Sequence, residues 1–357
     1  MNTVYLAAQS LSAGDGGMSR VARLVALVLH DEVLCGRLSA EGLSLRDSAE
    51  PKKLGFPVHL MKNSKLRFVA AAHRAALRPS HFIYDSLSLA RAHCRLPGAQ
   101  RPFLAWILGI EAWENARPVH LRCARRADDL VAISRYSRDR AEALHGGFSR
   151  ARVCWLGTES DEAPSIARQD AGPPTVLTVG RIDEDNYKGH DALIDCWASV
   201  TSQVPDARLV IVGTGPGLPT LRQLASSSPA ATRIVFRGFV PEEEMDKTWS
   251  EATVFAMPSR GEGFGLVYIE AMRQGVPVVA SIHDAAPEVN LDGVTGFNVD
   301  LTDSSALPER LISLLTNRDQ SRELGLAGQK RWTDYFRFSA FRSRFLPILD
   351  EFLDSKR

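Results

Sequence analysis

The sequence predicts an α/β protein built from two parallel-sheet domains that face each other across a cleft. Three observations predict it. Short apolar runs alternate with helix-length amphipathic segments in both halves of the chain, as repeated strand–helix–strand units do when they form parallel sheets. A stretch rich in alanine, proline and glycine, Ala163 to Pro174, separates the halves and reads as a linker. Charge divides with them: residues 1–150 carry 22 Lys+Arg against 13 Asp+Glu, a net of +9, whereas 151–357 carry 21 against 29, a net of −8. With 357 residues, 45% hydrophobic and 24% charged, the chain has the length for two cores and the composition of an ordered protein. The domains are expected at 1–160 and 161–335, the chain crossing between them after Val153 to Thr158.

In chain order, Thr3 to Ala8 reads as a strand, Ser10 to Gly17 as a loop, and Met18 to His30 as a helix with Val21, Leu24, Val25 and Val28 on one face. Lys62 to Arg78 reads as a basic amphipathic helix. Leu66, Val69, Ala70, His73 and Leu77 fall to one side, with Lys62, Lys65, Arg67, Arg74 and Arg78 elsewhere. Such a helix can lie on a membrane; packing on a parallel sheet explains the apolar stripe as well and is the reading adopted. Phe103 to Ile110 is a candidate buried strand, and Leu130 to Ser134 another, after which Ser134 suits a helix N-cap.

In the second half, Thr175 to Val179 is a strand that runs into Gly180-Arg181-Ile182-Asp183 and then Tyr187-Lys188-Gly189-His190. A cation at the end of a parallel strand, with a second at the head of the next helix, fits two clamps on a diphosphate. Arg208 to Val212 is a strand before Gly213-Thr214-Gly215-Pro216-Gly217, whose third glycine comes one place too early for the dinucleotide fingerprint. Ile234 to Phe236 and Ala252 to Met257 are further strands. Ser259 to Leu266 holds three glycines in five positions and opens onto a helix, Leu266 to Arg273, that Gly275 and Pro277 stop before the strand Val276 to Ala280. A helix start presents free N–H groups and the positive pole of the dipole, which attract phosphate. Ser305 to Leu315 and Gln320 to Tyr335 are helices, and Phe336 to Leu353 looks like a closing helix.

Glu262 and Glu270, separated by seven residues that include Gly263-Phe264-Gly265-Leu266, resemble the E-x7-E signature of the family 4 retaining glycosyltransferases (glycosyl transferases group 1). Other motifs follow the same family in order. Gly16-Gly17 resembles the Gly-Gly of the first loop, although a plain turn would use the same residues. Leu108-Gly109-Ile110-Glu111-Ala112-Trp113 is similar to His-Gly-Ile-Glu-x-Trp, with Leu108 at the histidine that reaches toward the transferred sugar. Ile133 to Ser137, Gly180-Arg181 with Lys188, the Gly-x-Gly-Pro loop, and Arg237 to Pro241 match as well. His283 to Val289 resembles a loop that commonly has glycine at Ala285 and Ala286, and Gly293 and Gly296 match the turn after it.

This resemblance covers nearly the whole chain, densely from Thr175 to Gly296, and implies the GT-B fold, with residues 336–357 crossing back onto the first domain. It implies transfer of a sugar from a nucleotide-sugar to an acceptor hydroxyl with retention of configuration. Glu270 would hold the ribose, Arg181 and Lys188 the diphosphate, amides from Gly265 through Leu266 to Val267 its oxygens, and Glu262 the sugar hydroxyls. Carboxylates suit hydroxyls because they accept two directional hydrogen bonds. Gly263 and Phe264 complete the glycine loop, Phe239 and Val240 would sit at the base, and Gly16, Gly17 and Ser134 would contact phosphate or acceptor. No Asp-x-Asp pair is positioned to bind a metal beside these residues, so neither a metal nor a cofactor besides the donor is expected. The departure at Leu108 leaves a nucleotide-sugar-binding scaffold or an inactive homologue as the alternative.

Five scattered cysteines without a Cys-x-x-Cys pair suggest reduced thiols, not a zinc site or disulfide framework. The longest apolar run, Pro102 to Ile110, is about half of the roughly 20 residues a membrane span requires, and Val4 to Ala8 is too short for a signal core. A cytoplasmic protein is expected, visiting the inner membrane face through its basic half, with no nucleic-acid partner. A lipid-linked saccharide of bacterial surface polysaccharide synthesis is the acceptor that charge and class suggest. The base is read largely by backbone, so GDP-mannose, UDP-glucose and UDP-N-acetylglucosamine all stay open as donors.

Overall fold

A computed structural model describes residues 3–12, 17–51, 54–166, 172–185 and 187–354. They form two compact units, one of 1–160 with 337–357 and one of 161–336.

The first unit runs β1 (Thr3–Ala8), α1 (Gly17–Leu34), β2 (Ser39–Ser44), β3 (Val58–Leu60), α2 (Lys65–Ala75), β4 (Ser80–Tyr84), α3 (Leu87–Ala90), β5 (Phe103–Ile107), α4 (Pro118–Arg126), β6 (Asp129–Ala132), α5 (Arg135–His145) and β7 (Arg152–Val153). Its strands pair in parallel in the order β3-β2-β1-β4-β5-β6-β7. Chain direction across the sheet therefore reverses between β1 and β4, and loops at the carboxyl ends of those strands open a crevice there. The central strands are buried on both faces, which is why Phe82, Ile83, Leu104 and Trp106 read as unbroken apolar runs.

The second unit runs β8 (Thr175–Val179), α6 (His190–Gln203), β9 (Arg208–Val212), α7 (Leu218–Ser227), β10 (Ile234–Gly238), α8 (Glu242–Ser250), β11 (Val254–Ala256), α9 (Leu266–Arg273), β12 (Val278–Ser281), α10 (Ala286–Val289), β13 (Gly296–Val299), α11 (Ala306–Thr316) and α12 (Arg318–Tyr335). Its sheet is also parallel, ordered β10-β9-β8-β11-β12-β13, with the reversal between β8 and β11. The last helix, α13 (Phe338–Asp354), belongs to the first unit. Phe341 and Phe345 lie 6.3 and 5.4 Å from the Trp106 ring, and Arg342 pairs with Glu32 at 2.6 Å. Phe341, Phe345 and Phe352 are fully buried, at about 1.5–3 kcal/mol of apolar burial each.

One expectation is corrected. The helix predicted over 62–78 is confined to α2, because Lys62 and Asn63 take left-handed φ values of 49° and 62° and Ser64 caps the helix by accepting from the Arg67 amide. The apolar stripe does not face the sheet. Phe68, Ala72, Ala75 and Ala76 do, whereas Leu66 is 85% and Leu77 69% exposed, with Val69 and Ala70 also outward. Small alanines let the helix approach the sheet closely, so the less hydrophobic face is the inner one.

Ala285 departs from the family's glycine without backbone consequence. Its φ is −72°, and neither it nor Ala286 lies in the left-handed region.

Candidate functional site

The loops that follow β8 and β11 stand side by side at the reversal point of the second sheet. Lys188 comes from the first and Glu262 from the second. Their approach depends on Gly189, whose φ is +76° and whose missing Cβ would collide with the carbonyl oxygen of Pro258. The Arg260 amide also donates to the Tyr187 carbonyl at 2.7 Å, fastening the two loops together. Across this junction the Lys188 ammonium pairs with the Glu262 carboxylate, their side chains only 14% and 15% exposed. Burial works against the Lys188 charge, but the Glu262 carboxylate and Tyr187 outweigh it and hold the ammonium above the ordinary lysine range.

Glu262 is itself clamped. Its amide donates to Asp284 at 3.0 Å, and its carbonyl accepts from Ala285 at 3.2 Å. Gly265 then turns the chain into α9 with φ +86°, where any side chain would strike the Tyr268 ring. The Tyr268 hydroxyl donates to the Met257 carbonyl at 2.9 Å, so the ring braces both ends of the loop. The start of α9 is thereby aimed from the same loop that carries Glu262, with Leu266 and Val267 as its first residues and Glu270 one turn on.

The other predicted residues occupy different settings. Arg181 is 69% exposed and pairs with Asp183 at 2.7 Å. Phe264 is buried against Phe336, 6.0 Å between ring centres, so it anchors the loop from inside. Gly263 lies in the same bend, partly exposed. Phe239 is 66% exposed beside the half-buried Val240, just after β10. Gly17 is the exposed first residue of α1; Gly16 lies outside the described residues. Ser134 is fully buried and caps α5, accepting from the Ser137 amide at 2.9 Å. The glycines of Gly213–Gly217 serve packing: added Cβ atoms would strike the carbonyls of Gly180, Ile182 and Asp183, whose loop rests on them.

Asp183-Glu184-Asp185 does contain an Asp-x-Asp triplet two residues beyond Arg181, but Asp183 is taken up by the arginine. Among the described residues no group of three or more His, Cys, Asp or Glu side chains could hold a metal ion.

Two residue groups were given no role by the sequence. Asp284 is one, a 3% exposed carboxylate whose pKa burial pushes up to about 6 against the pull of two backbone amides. The second group lies in the first unit, at the reversal between β1 and β4. There the Gln9 amide donates to Asp85 at 2.6 Å, and Gln9 and Ser86 both reach Ser88. Glu111, after β5, accepts from the Leu87 and Leu108 amides at 3.2 and 3.4 Å. Burial pushes Asp85 up to about 7 and Glu111 up to about 8, against the pull of the amides they accept from. The available signal was position: Asp85 directly follows the buried strand β4, and Glu111 comes four residues after the apolar strand β5.

A family profile described as Glycosyl transferases group 1 matches residues 173–317, the stretch that holds Arg181, Lys188, Glu262 and Glu270. The chain is 34% identical over 283 residues to a GDP-mannose-dependent alpha-(1-6)-phosphatidylinositol monomannoside mannosyltransferase of Mycolicibacterium smegmatis, covering 74% of this chain and 73% of that one. It is 38% identical over 220 residues to a GDP-mannose-dependent monoacylated alpha-(1-6)-phosphatidylinositol monomannoside mannosyltransferase of Corynebacterium glutamicum, covering 57% and 56%. In fold it is similar to Anabaena HepE in complex with UDP-glucose, at 19% identity and TM-score 0.79 over 98% of this chain and 100% of that one. Sucrose-phosphate synthase of Thermosynechococcus elongatus superposes over the whole of both chains with TM-score 0.81, again at 19% identity. With two parallel-sheet units of this kind, and a relative matched at this identity over nearly three quarters of its length, the chain belongs to the glycosyl transferases group 1 and is a GT-B glycosyltransferase that draws on a nucleotide-sugar donor.

Proposed function

We propose that the chain transfers mannose from GDP-mannose, with retention of anomeric configuration, to a hydroxyl of a phosphatidylinositol-linked mannoside. The observation that carries this reading is that the mannosyltransferases of Mycolicibacterium smegmatis and Corynebacterium glutamicum share one donor and one acceptor class. A match covering 74% of the chain necessarily spans Lys188 and Glu262. Lys188, with Arg181 swinging from its exposed position, would neutralise the leaving diphosphate. Charge grows there as the bond to the sugar breaks, and fixed cations then stabilise the transition state more than the ground state. The first amides of α9 would meet the diphosphate oxygens, Glu270 the ribose, and Glu262 the sugar hydroxyls once Lys188 turns to the phosphate. Phe239 and Val240 would flank the base. In the first unit, the partly exposed Gln9 and Glu111, beside the buried Asp85, would supply hydrogen-bonding groups to a polyol headgroup.

We further propose that α2 carries the protein to an anionic membrane face. No described helix is long and apolar enough to cross a membrane. Exposed Leu66 and Val69 on α2, with Leu77 just after it, among exposed Lys62, Lys65, Arg67, Arg74 and Arg78, instead match a segment whose helix lies in the interface. Transfer is tested with labelled GDP-mannose and vesicles containing phosphatidylinositol mannosides. The expected result is label in the lipid phase from GDP-mannose and none from UDP-glucose or UDP-N-acetylglucosamine. Transfer from a UDP-sugar alone would overturn the donor, label confined to water-soluble products the acceptor, and tight donor binding without any product would favour the scaffold.

A further inference from the structure

We propose that Asp284 is a positioning residue for Glu262: it grips the main chain of the glutamate so that the carboxylate stays in place when Lys188 leaves it for the donor diphosphate. This rests on the reading that Glu262 addresses the transferred sugar. In the structure Glu262 is held at both ends, its side chain by Lys188 and its backbone by the β12–α10 loop. A bound diphosphate competes for the same ammonium, and its greater charge wins Lys188. The side chain of Glu262 is then free, and only its backbone anchorage decides where the carboxylate points.

That anchorage centres on one carboxyl group. Asp284 Oδ2 accepts from the Glu262 amide at 3.0 Å, Oδ1 from the Ala286 amide at 2.9 Å, and the Ser259 side chain adds a third hydrogen bond. In return the Ala285 amide donates to the Glu262 carbonyl at 3.2 Å, and the Ser281 hydroxyl donates to the Ser259 carbonyl. Two neighbouring strands, β11 and β12, thus have their carboxyl-end loops laced together around Glu262. A neutral side chain of the same shape cannot do this. An asparagine has one acceptor oxygen and presents its amide N–H₂ to the second N–H, leaving one donor unpaired.

Asp284 also faces titratable neighbours. Glu262 lies against it, with Lys188 beyond; Tyr268 stands close; and His283, next in the chain, pairs with Asp300 at 3.1 Å. Burial, with a smaller push from Glu262, raises the Asp284 carboxyl to about 6, so acidification below that value protonates the grip itself. An acid limb in the pH profile of turnover should follow.

Asp284→Asn is the test. In the donor-free protein, hydrogen exchange at the Glu262 amide should accelerate by about tenfold or more, as expected for losing a hydrogen bond to a charged acceptor, while exchange in β8 and β9 stays unchanged. By calorimetry, GDP affinity should hold within about twofold, whereas the additional affinity that GDP-mannose has over GDP should disappear. Turnover should fall by about tenfold, and the acid limb should be lost in Asp284→Asn but kept in His283→Gln. Unchanged exchange at Glu262, or an equal loss of GDP and GDP-mannose affinity, overturns the proposal. If the wild-type protein binds GDP with no preference for any of its sugar conjugates, the donor-sugar reading fails instead, and the exchange measurement still decides the grip.

Discussion

Replacing Lys188 by methionine separates two things that one side chain does. Methionine keeps the length of the stem and its packing near Tyr187, and removes only the charge. The immediate consequence is an orphaned Glu262. Fully buried, such a charge costs about 3–5 kcal/mol; with the pair 14% and 15% exposed, solvent relieves part of it, and about 1–3 kcal/mol is expected. At roughly 2–4 °C per kcal/mol for a unit of this size, the melting temperature should drop by about 2–12 °C. The sign of the pH dependence follows from the raised pKa of Lys188. Its stabilisation is fully present below the unfolded lysine value of 10.5 and is lost only as pH rises past that toward the folded value, so the deficit should be constant between pH 6 and 9.

Adding Glu262→Gln removes the orphaned charge. The double variant should recover most of the lost melting temperature and none of the lost activity. For transfer itself, losing a cation at the leaving diphosphate should cost on the order of 10²–10³ in kcat, equivalent to about 2.7–4 kcal/mol, with a smaller loss in GDP affinity. Calorimetric melting of the three proteins at pH 7, beside single-turnover transfer from GDP-mannose, reads both effects. A single variant within about tenfold of wild-type kcat refutes the diphosphate role. A double variant that melts as low as the single one refutes the accounting in terms of buried charge.

Four further outcomes are expected. Gly189→Ala combines φ +76° with a clash on the Pro258 carbonyl, whereas Gly238→Ala at φ +70° meets open space; urea melts should show the first costing at least about 2 kcal/mol and the second about 1. His190 is 1% exposed with neither ring nitrogen hydrogen-bonded among the described residues, and burial lowers its pKa from 6.5 to about 4. The unfolded chain therefore binds that proton first, stability should fall as pH drops from 6.5 to 4, and His190→Phe should flatten the decline in a melting series by up to about 3 kcal/mol. Transfer should survive EDTA, and complete loss restored by magnesium or manganese would contradict the expectation that no metal is needed. Sedimentation with anionic vesicles should be strong at low salt and weak above about 0.15 M, where the Debye length is near 8 Å, and Leu66→Ser with Leu77→Ser should weaken it at every salt concentration.

Local pattern decided much of this molecule. β1, β8, β9 and α9 begin and end where the sequence places them, because each is a short apolar run or amphipathic turn bounded by its own stop signals: Gly275 after α9, the Gly180 and Gly213 loops after β8 and β9. Motif order likewise placed Glu262, Glu270, Arg181 and Lys188 at loop or helix starts of the second unit. What the sequence could not supply was which distant groups share a place. Lys188 and Glu262 are 74 residues apart, and their pairing depends on β8 and β11 being neighbours and on Gly189 letting two backbones touch. The roles of the glycines in 213–217 were equally hidden, since sequence marks where a side chain is missing but not what fills the space. Rotation of α2 went unread for a related reason: periodicity locates an apolar stripe, while the choice of inner face went to the alanines that let the helix sit close to its sheet. Asp284 was legible only as one more acid, because its part is set by two amides that tertiary folding alone brings to it.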